Sequence, residues 1–195
     1  MVKKIVSHLY KLLQTSVAGS SLGIKEKWEL EMNVVIEDQI WELVCENGHK
    51  LTSSPTWKEF IWKVNLRFFK TPLIISKFDK TKTNLCWRQC GQIGDFTHIF
   101  WDCPKLKLYW EGIRAELSKI LQIHITNDPL VFVLGVLPCD FLCKEKRYLL
   151  KVLIMVAKKM ITVSWCKPLP PTVDKWKERL LRVYTMEKNN SKAQP

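Results

Sequence analysis

The sequence lacks the residues and patterns that mark several common classes of protein. Seven glycines among 195 residues are too few for a turn-rich β sandwich, so the composition favours helices. No glycine-rich phosphate loop is present. The chain has no serine in a glycine-flanked nucleophile turn followed by the Asp and His of a hydrolase triad. No two carboxylates are placed as a general acid and a general base. We therefore expect a chain that is not an enzyme.

The sequence also lacks long apolar segments. No run of 18 apolar residues could span a bilayer, and polar residues interrupt the apolar positions of the first 21 residues, so no secretory signal is expected. Seven cysteines, an odd number, accompany this absence. The combination predicts a reducing intracellular location, cytoplasmic or nuclear, no membrane, and cysteines that serve as metal ligands or core residues instead of disulfides.

What the chain has in abundance is positive charge and tryptophan. Its net charge is +12, and it contains nine tryptophans. Lys25–Glu46 has two basic and seven acidic residues, Lys50–Arg88 has nine basic and two acidic, and Lys144–Pro195 has thirteen basic and four acidic. The two basic segments predict an anionic partner such as nucleic acid. Basic residues on solvated helix faces would explain the same charges equally well.

Apolar periodicity predicts a mainly α fold, a multi-helix bundle with one inserted zinc-knuckle-like turn segment. We expect three regions: residues 1–83, residues 84–104 with the knuckle, and residues 105–195. Thr15–Gly23 is predicted as a linker, Thr71–Thr83 as a basic connector, and Asp128–Leu137 as either a helix or a buried strand. The predicted helices are Val2–Leu13, Lys25–Cys45 with a stop at Asn47-Gly48, one from Pro55 to Lys70 capped by Ser54 and ended by Pro72, one from Pro104 through Leu121, Lys144–Trp165, and one capped by Thr172.

Four residues in Leu85–Pro104 have the spacing of metal ligands. The pattern is Cys86-x3-Cys90-x7-His98-x4-Cys103, which suits a tetrahedral zinc ion bound by three thiolates and one imidazole. Gly91 follows the second cysteine and can adopt the positive φ that a tight turn needs. With four protein ligands no position remains for an activated water, so a zinc ion here would be structural. Four buried side chains without a metal are the alternative.

Aromatic and basic residues surround these ligands. Small knuckles hold unstacked bases on aromatic side chains and bind phosphates with nearby basic ones. Of Trp87, Ile93, Phe96, Phe100 and Trp101, we expect about two to face a ligand and the others to pack inward, with Trp87 the first choice. The predicted nucleic-acid contacts are Trp87, Arg88, Phe96, Trp101, Lys105 and Lys107, and the predicted partner is RNA or another single-stranded nucleic acid.

Two further groups of possible ligands are weaker. His49 lies four residues after Cys45, but Gly48 between them favours a helix end. Cys139-x3-Cys143 repeats the spacing of the first ligand pair, yet no histidine follows within range, so core or loop thiols are favoured over a second metal site.

The residues of the knuckle and its flanks resemble a known family. The segment KTPLIISKF at Lys70–Phe78, the knuckle with Thr97-His98 and Trp101-Asp-Cys103-Pro104, and the later Trp165-Cys-Lys-Pro168, Pro170-Pro171-Thr172, Trp176 and Met186-Glu187-Lys188 are similar to the C-terminal segment of the second open reading frame protein of LINE-type, non-LTR retrotransposons, in fish-like members.

This resemblance implies a piece of a reverse transcriptase polyprotein. The family's knuckle ligands fall on Cys86, Cys90, His98 and Cys103, and the segment would bind the element's RNA in a ribonucleoprotein and support target-primed reverse transcription. No aromatic-x-Asp-Asp polymerase box exists, and nothing resembles the endonuclease, so catalysis is not expected. A helical protein–protein module with a structural zinc, or a degenerate element remnant, are the alternatives.

Overall fold

The structure is a computed structural model that describes residues 23–137 and 142–192. The predicted helix Val2–Leu13 and nearly all of the predicted linker lie outside these residues. The described chain is mainly helical, which confirms the predicted fold class. Its α-helices are α1 (residues 23–32), α2 (Asp38–Lys50), α3 (Pro55–Asn65), α4 (Pro72–Phe78), α5 (Lys107–Leu121), α6 (Lys144–Val163) and α7 (Val173–Lys192).

The single helix predicted for Lys25–Cys45 is wrong, because the chain breaks between α1 and α2. Asn33 has a φ of 52°, a left-handed conformation that asparagine tolerates better than most residues. The Glu29 carboxylate then accepts a hydrogen bond from the Ile36 backbone at 2.8 Å, which stabilises the bend. The break buries both Trp28 and Trp41 in the core. At its other end α2 continues through Asn47-Gly48 to Lys50.

Proline positions were read correctly at α3 and incorrectly at α4. Helix α3 begins with Ser54 at the cap position and Pro55 in the first turn, as predicted, although it ends at Asn65 instead of Lys70. Pro72 does not end a helix. It begins α4, where the Thr71 hydroxyl accepts a hydrogen bond from the Ile74 backbone at 3.3 Å. A proline needs no amide donor in the first turn, so it starts a helix as readily as it ends one.

Helices α5, α6 and α7 pack against one another and form the body of the molecule. Of the two alternatives predicted for Asp128–Leu137, the structure has the helix: Leu130–Leu134 forms a largely buried π-helical turn against α6. Thr172 caps α7 through a hydrogen bond from the Lys175 backbone, as predicted. The helical periodicity of α5 and α6 also predicts inward positions for Ile120 and Leu149, but these residues are 47% and 40% exposed.

Several indole and phenol groups link the helices through polar contacts inside the core. The Trp28 indole donates to the Asn65 carbonyl at 2.9 Å, and the Trp176 indole donates to the Leu153 carbonyl at 3.2 Å. The Tyr109 hydroxyl donates to the Ala157 carbonyl at 2.9 Å. Each contact satisfies a polar group that burial would otherwise leave unpaired. Within the described ranges, no helix has the length and apolar content needed to cross a membrane.

Candidate metal centre

The first two cysteines are placed by a short hairpin. Leu85 and Ile93 pair in an antiparallel bridge, and the Cys86 backbone donates to the Gln92 carbonyl at 2.9 Å. Between them the chain turns through two left-handed residues, Gln89 with φ 55° and Gly91 with φ 79°. The positive φ predicted for Gly91 is confirmed. The reversal brings the Cys86 and Cys90 side chains to one side of the loop.

The histidine and third cysteine are placed by a wider helical turn. His98–Asp102 is π-helical, and the Cys103 backbone donates to the His98 carbonyl at 3.1 Å. Residues five apart in an ordinary α-helix point about 140° away from each other. A π turn has i to i+5 hydrogen bonds and brings them closer to one face. The Asp95 carboxylate caps this turn by accepting from the His98 backbone at 2.7 Å.

The four side chains converge on a single point. Their ligand atoms all lie within 4.8 Å of one another. The two sulfurs of Cys86 and Cys103 are 3.8 Å apart, and the Cys90 sulfur is 3.2 Å from Nε2 of His98. Two thiolates on a tetrahedral zinc, each ~2.3 Å from the metal, would lie ~3.8 Å apart. The donor set and spacing therefore fit a tetrahedral metal ion, and the cysteines are free thiols, not disulfides.

Burial shifts the pKa values of two of the four ligand side chains. Burial raises the pKa of Cys86 to about 12, against the opposing effect of a hydrogen bond from the Arg88 backbone. Burial also lowers the pKa of His98, which keeps the imidazole neutral, as metal ligation requires. Burial thus favours the protonated thiol of Cys86, and a divalent metal bound to its sulfur would reverse this preference.

Arg88 is an unusual neighbour of this cluster. Arg88 is only 2% exposed, and none of its three guanidinium nitrogens has a hydrogen-bond partner among the described residues. Its charge also lowers the pKa of His98, after the larger effect of burial. A buried cation without a partner is costly. Since Arg88 lies in the interior, the expectation that it binds phosphate at the surface is corrected.

The predicted aromatic contacts are mostly part of the core. Phe96 is 1% exposed and stacks on Phe100 with ring centroids 4.9 Å apart, which corrects its assignment to a ligand-facing position. Trp101 is half-buried and stacks on Phe132 at 5.6 Å. Trp87 is also half-buried and contacts Trp165 edge-on at 5.8 Å. Lys105 and Lys107 are exposed, as a surface role requires.

Side chains far away in sequence hold the metal centre on the body. The Glu31 carboxylate accepts from the Thr97 hydroxyl at 2.8 Å and also pairs with Arg67. Trp165, at the end of α6, contacts Phe69, Trp87, Phe96 and Phe100. Sequence reasoning missed Glu31 and Trp165 as supports, because no local pattern links α1 or α6 to the knuckle.

The hairpin approaches the start of α4 closely at Gly94. A Cβ added at Gly94 would lie 2.6 Å from Cγ of Pro72. The Leu73 backbone donates to the Gly94 carbonyl at 3.1 Å, so α4 is tied directly to the hairpin. Glycine is required here for space, whereas Gly91 is required for conformation.

The other possible ligands do not join a described cluster. Cys45, Cys143 and Cys166 are exposed, Cys139 lies outside the described residues, and the His49 side chain is not among those described. No protein-family model matches the sequence.

Proposed function

We propose that this chain is a non-catalytic helical module that binds single-stranded nucleic acid, RNA in particular, and that a structural zinc ion organises it. The observation that carries the proposal is the convergence of Cys86, Cys90, His98 and Cys103. Three soft thiolates and one imidazole in a tetrahedral arrangement favour zinc among the divalent metals. The four ligands would close its coordination sphere, so the ion holds structure and activates no water.

The buried Arg88 guanidinium supports a charged metal centre. A zinc ion bound by three thiolates and a neutral imidazole carries a net charge of −1, which would balance the buried cation beside it. Without the metal, no such three-thiolate charge is fixed beside Arg88. The buried charge of Arg88 is therefore accounted for if a negatively charged zinc–thiolate centre lies beside it.

The Arg88 argument predicts a loss of metal affinity when the charge is removed. Arg88→Met keeps the apolar stem and should weaken zinc binding about 10- to 100-fold, the range found for outer partners of metal ligands. Competition with a chromophoric chelator measures this change. Lys105→Met is the matched control, since Lys105 also lies two residues from a ligand but is exposed. Equal effects of both variants would contradict the role given to Arg88.

Charge supports the nucleic-acid part of the proposal. The chain carries a net charge of +12, and the exposed Lys105 and Lys107 follow directly on the last ligand. The similarity of the knuckle and its flanks to LINE-type reverse transcriptase proteins points to the same ligand. On that basis the module would contribute to binding an element's RNA inside the cell during target-primed reverse transcription.

Two measurements test the proposal. Elemental analysis of protein purified under reducing conditions should give one zinc per chain, and a metal-free reduced sample would end the zinc proposal. Anisotropy of a labelled single-stranded RNA should show binding that weakens steeply with added salt. The double variant Lys105→Gln, Lys107→Gln should bind the RNA more weakly, and its affinity should depend less on salt. Undetectable binding at low salt would end the nucleic-acid proposal.

The acidic segment favours a second candidate, a protein–protein module with a structural zinc. Leu30 and Val35 lie among its carboxylates and are 83% and 89% exposed. An exposed apolar pair in an acidic setting suits a partner with a basic rim. If the zinc-loaded chain ignores RNA but self-associates in sedimentation runs, and Val35→Glu abolishes that association, this second candidate replaces the first.

A further inference from the structure

Two aromatic side chains stand exposed where α3 ends. Trp62 is 46% exposed and Phe68 is 62% exposed, and their ring centroids are 6.1 Å apart with a tilt of 38°. The left-handed residue Arg67, with φ 55°, sets this arrangement. Its guanidinium lies over the Trp28 and Phe96 rings, so it points inward while the next side chain points out.

The exposed pair differs from the other aromatic residues of the same segment. Trp57 and Phe60 on α3 are buried, and Phe69 packs against Phe60, Phe100 and Trp165. The core therefore buries the aromatic residues on either side of this pair in the sequence, while Trp62 and Phe68 remain exposed to solvent. Exposed adjacent rings offer π faces that the fold itself does not use.

One lysine lies beside the exposed Phe68 ring, and two further cations, Lys159 on α6 and Arg179 on α7, lie close to α3 or to each other. The Lys63 ammonium lies 5.8 Å from the Phe68 centroid, and the Lys159 ammonium of α6 lies 4.6 Å from the Phe60 centroid. Burial and the like charges of Arg179 and Lys63 lower the pKa of Lys159. These three cations, from α3, α6 and α7, thus lie within electrostatic reach of one another.

The convergence of these charges is only partly balanced. Glu59 pairs with Lys63 at 2.6 Å and is the carboxylate whose charge acts on Lys159. Three cations with one anion leave a local excess of positive charge, which like-charge repulsion disfavours unless an anionic ligand neutralises it. Lys63 joins this charge to the exposed rings, since its ammonium lies over the Phe68 ring.

We propose that Trp62, Phe68, Lys63, Lys159 and Arg179 form a binding platform for single-stranded nucleic acid. Bases would stack on the Trp62 and Phe68 rings, and the phosphates would lie along the three cations. Stacking platforms beside basic grooves bind single strands in this way without sequence preference. The platform rests on the proposed function and moves its main contact surface away from the knuckle, whose aromatic side chains are largely packed inward.

Aromatic substitutions test the stacking part. The full zinc-loaded chain is titrated against a fluorescein-labelled oligouridine of about 20 nucleotides in an anisotropy assay. Trp62→Ala and Phe68→Ala should each weaken binding about tenfold, while Trp62→Phe should retain most of it because a ring remains. Phe78→Ala is the matched control, since Phe78 is an 86% exposed aromatic residue next to Lys77. Equal losses in the Phe78 and Trp62 variants would overturn the platform.

Charge substitutions test the phosphate part. Lys159→Gln combined with Arg179→Gln should lower the salt slope of log affinity by about 1.4, because each phosphate contact with a single strand adds about 0.7. Lys119→Gln, at an exposed position on α5, should leave the slope unchanged. Unaltered helical content and zinc content in each variant show that the fold persists.

The outcomes separate the platform from the broader proposal. Binding that depends on Lys105 and Lys107 but not on Trp62 and Phe68 overturns the platform and leaves the proposed function in place. No binding by the unaltered chain overturns both. Tighter binding of an acidic peptide than of oligouridine, abolished by Trp62→Ala, assigns the surface to a protein and overturns the platform.

Discussion

The metal stretch, residues 84–104, and helix α6 are both buried against the same core, but they are held there by different means. Helix α6 contributes a long face of apolar side chains, including Leu153, Ile154 and Val156. The metal stretch has one isolated β-bridge, one π turn and four ligand side chains. Helix α6 therefore depends on many similar contacts, whereas the stretch depends on a few dissimilar ones.

This difference teaches how each region should fail. An apolar face loses stability in proportion to the volume removed. A four-ligand site fails as a unit, because the binding free energy of a structural metal is itself folding free energy. The predictions below test this contrast, beginning with the largest expected effect.

The largest effect should follow removal of one ligand. Cys90→Ser should abolish stoichiometric zinc binding and lower the melting temperature by more than about 10 °C, since several kcal/mol of metal-linked stability are lost. Elemental analysis and a thermal melt measure both quantities. Cys166→Ser is the control, because Cys166 is an exposed thiol outside the cluster. Zinc retained at one per chain in Cys90→Ser would contradict a four-ligand site.

A core substitution in α6 should cost stability but not metal. Ile154 is 1% exposed, so Ile154→Ala should reduce the free energy of unfolding by about 2–5 kcal/mol. Zinc affinity should stay unchanged as long as the chain is folded. Val163→Ala, at a 53% exposed position on the same helix, should cost less than about 0.5 kcal/mol. Loss of zinc in Ile154→Ala at temperatures where the chain is folded would show that the two regions are not separable.

A smaller effect concerns the one buried lysine of α6. The Lys158 ammonium donates to the Val133 carbonyl at 2.7 Å, and burial lowers its pKa from 10.5 to about 8. Between these two values the unfolded chain binds more protons than the folded one, so stability should rise as pH increases from about 8 to 10.5. The gain is at most about 3 kcal/mol, from 1.36 kcal/mol per pKa unit.

Lys158→Met should remove this pH dependence, which denaturant unfolding at several pH values measures. Lys151→Met is the control, because Lys151 lies on the same helix and lines, together with Lys158, a small cavity between α2, α3 and α6. A pH slope that persists in Lys158→Met would assign the dependence to another group.

Local sequence patterns were sufficient to predict the ligand cluster and two helix starts. The spacing of Cys86, Cys90, His98 and Cys103 predicted the cluster, because ligands close in sequence need only local turns to meet. The Ser54-Pro55 start of α3 and the Thr172 cap of α7 followed from capping rules that act within one turn. The predicted division into residues 1–83, 84–104 and 105–195 stays a prediction.

Other expectations failed where distant contacts decided the outcome. Lys144, Lys151 and Lys158 recur every seven residues along α6, a spacing that does not predict burial of any one of them. Packing of the Leu130–Leu134 turn against α6 nevertheless buries Lys158 and supplies Val133 as its acceptor. Phe96 and Arg88 were predicted as nucleic-acid contacts, yet both are buried, and the rings of Trp28 and Trp165 and the Arg67 guanidinium contact the Phe96 ring. Periodicity along one segment carries no information about which other segment will cover it.

The sequence by itself determined the helical class, the four candidate ligands and the excess of positive charge. Each of these depends on residue type and short spacing alone. Only the tertiary structure decided that Arg88 is a buried cation beside the ligands and that Trp165 and Glu31 support the metal stretch. It also placed Lys159 of α6 over the Phe60 ring of α3, near Lys63. These features join residues that are far apart in the chain, and only packing of the helices brings them together.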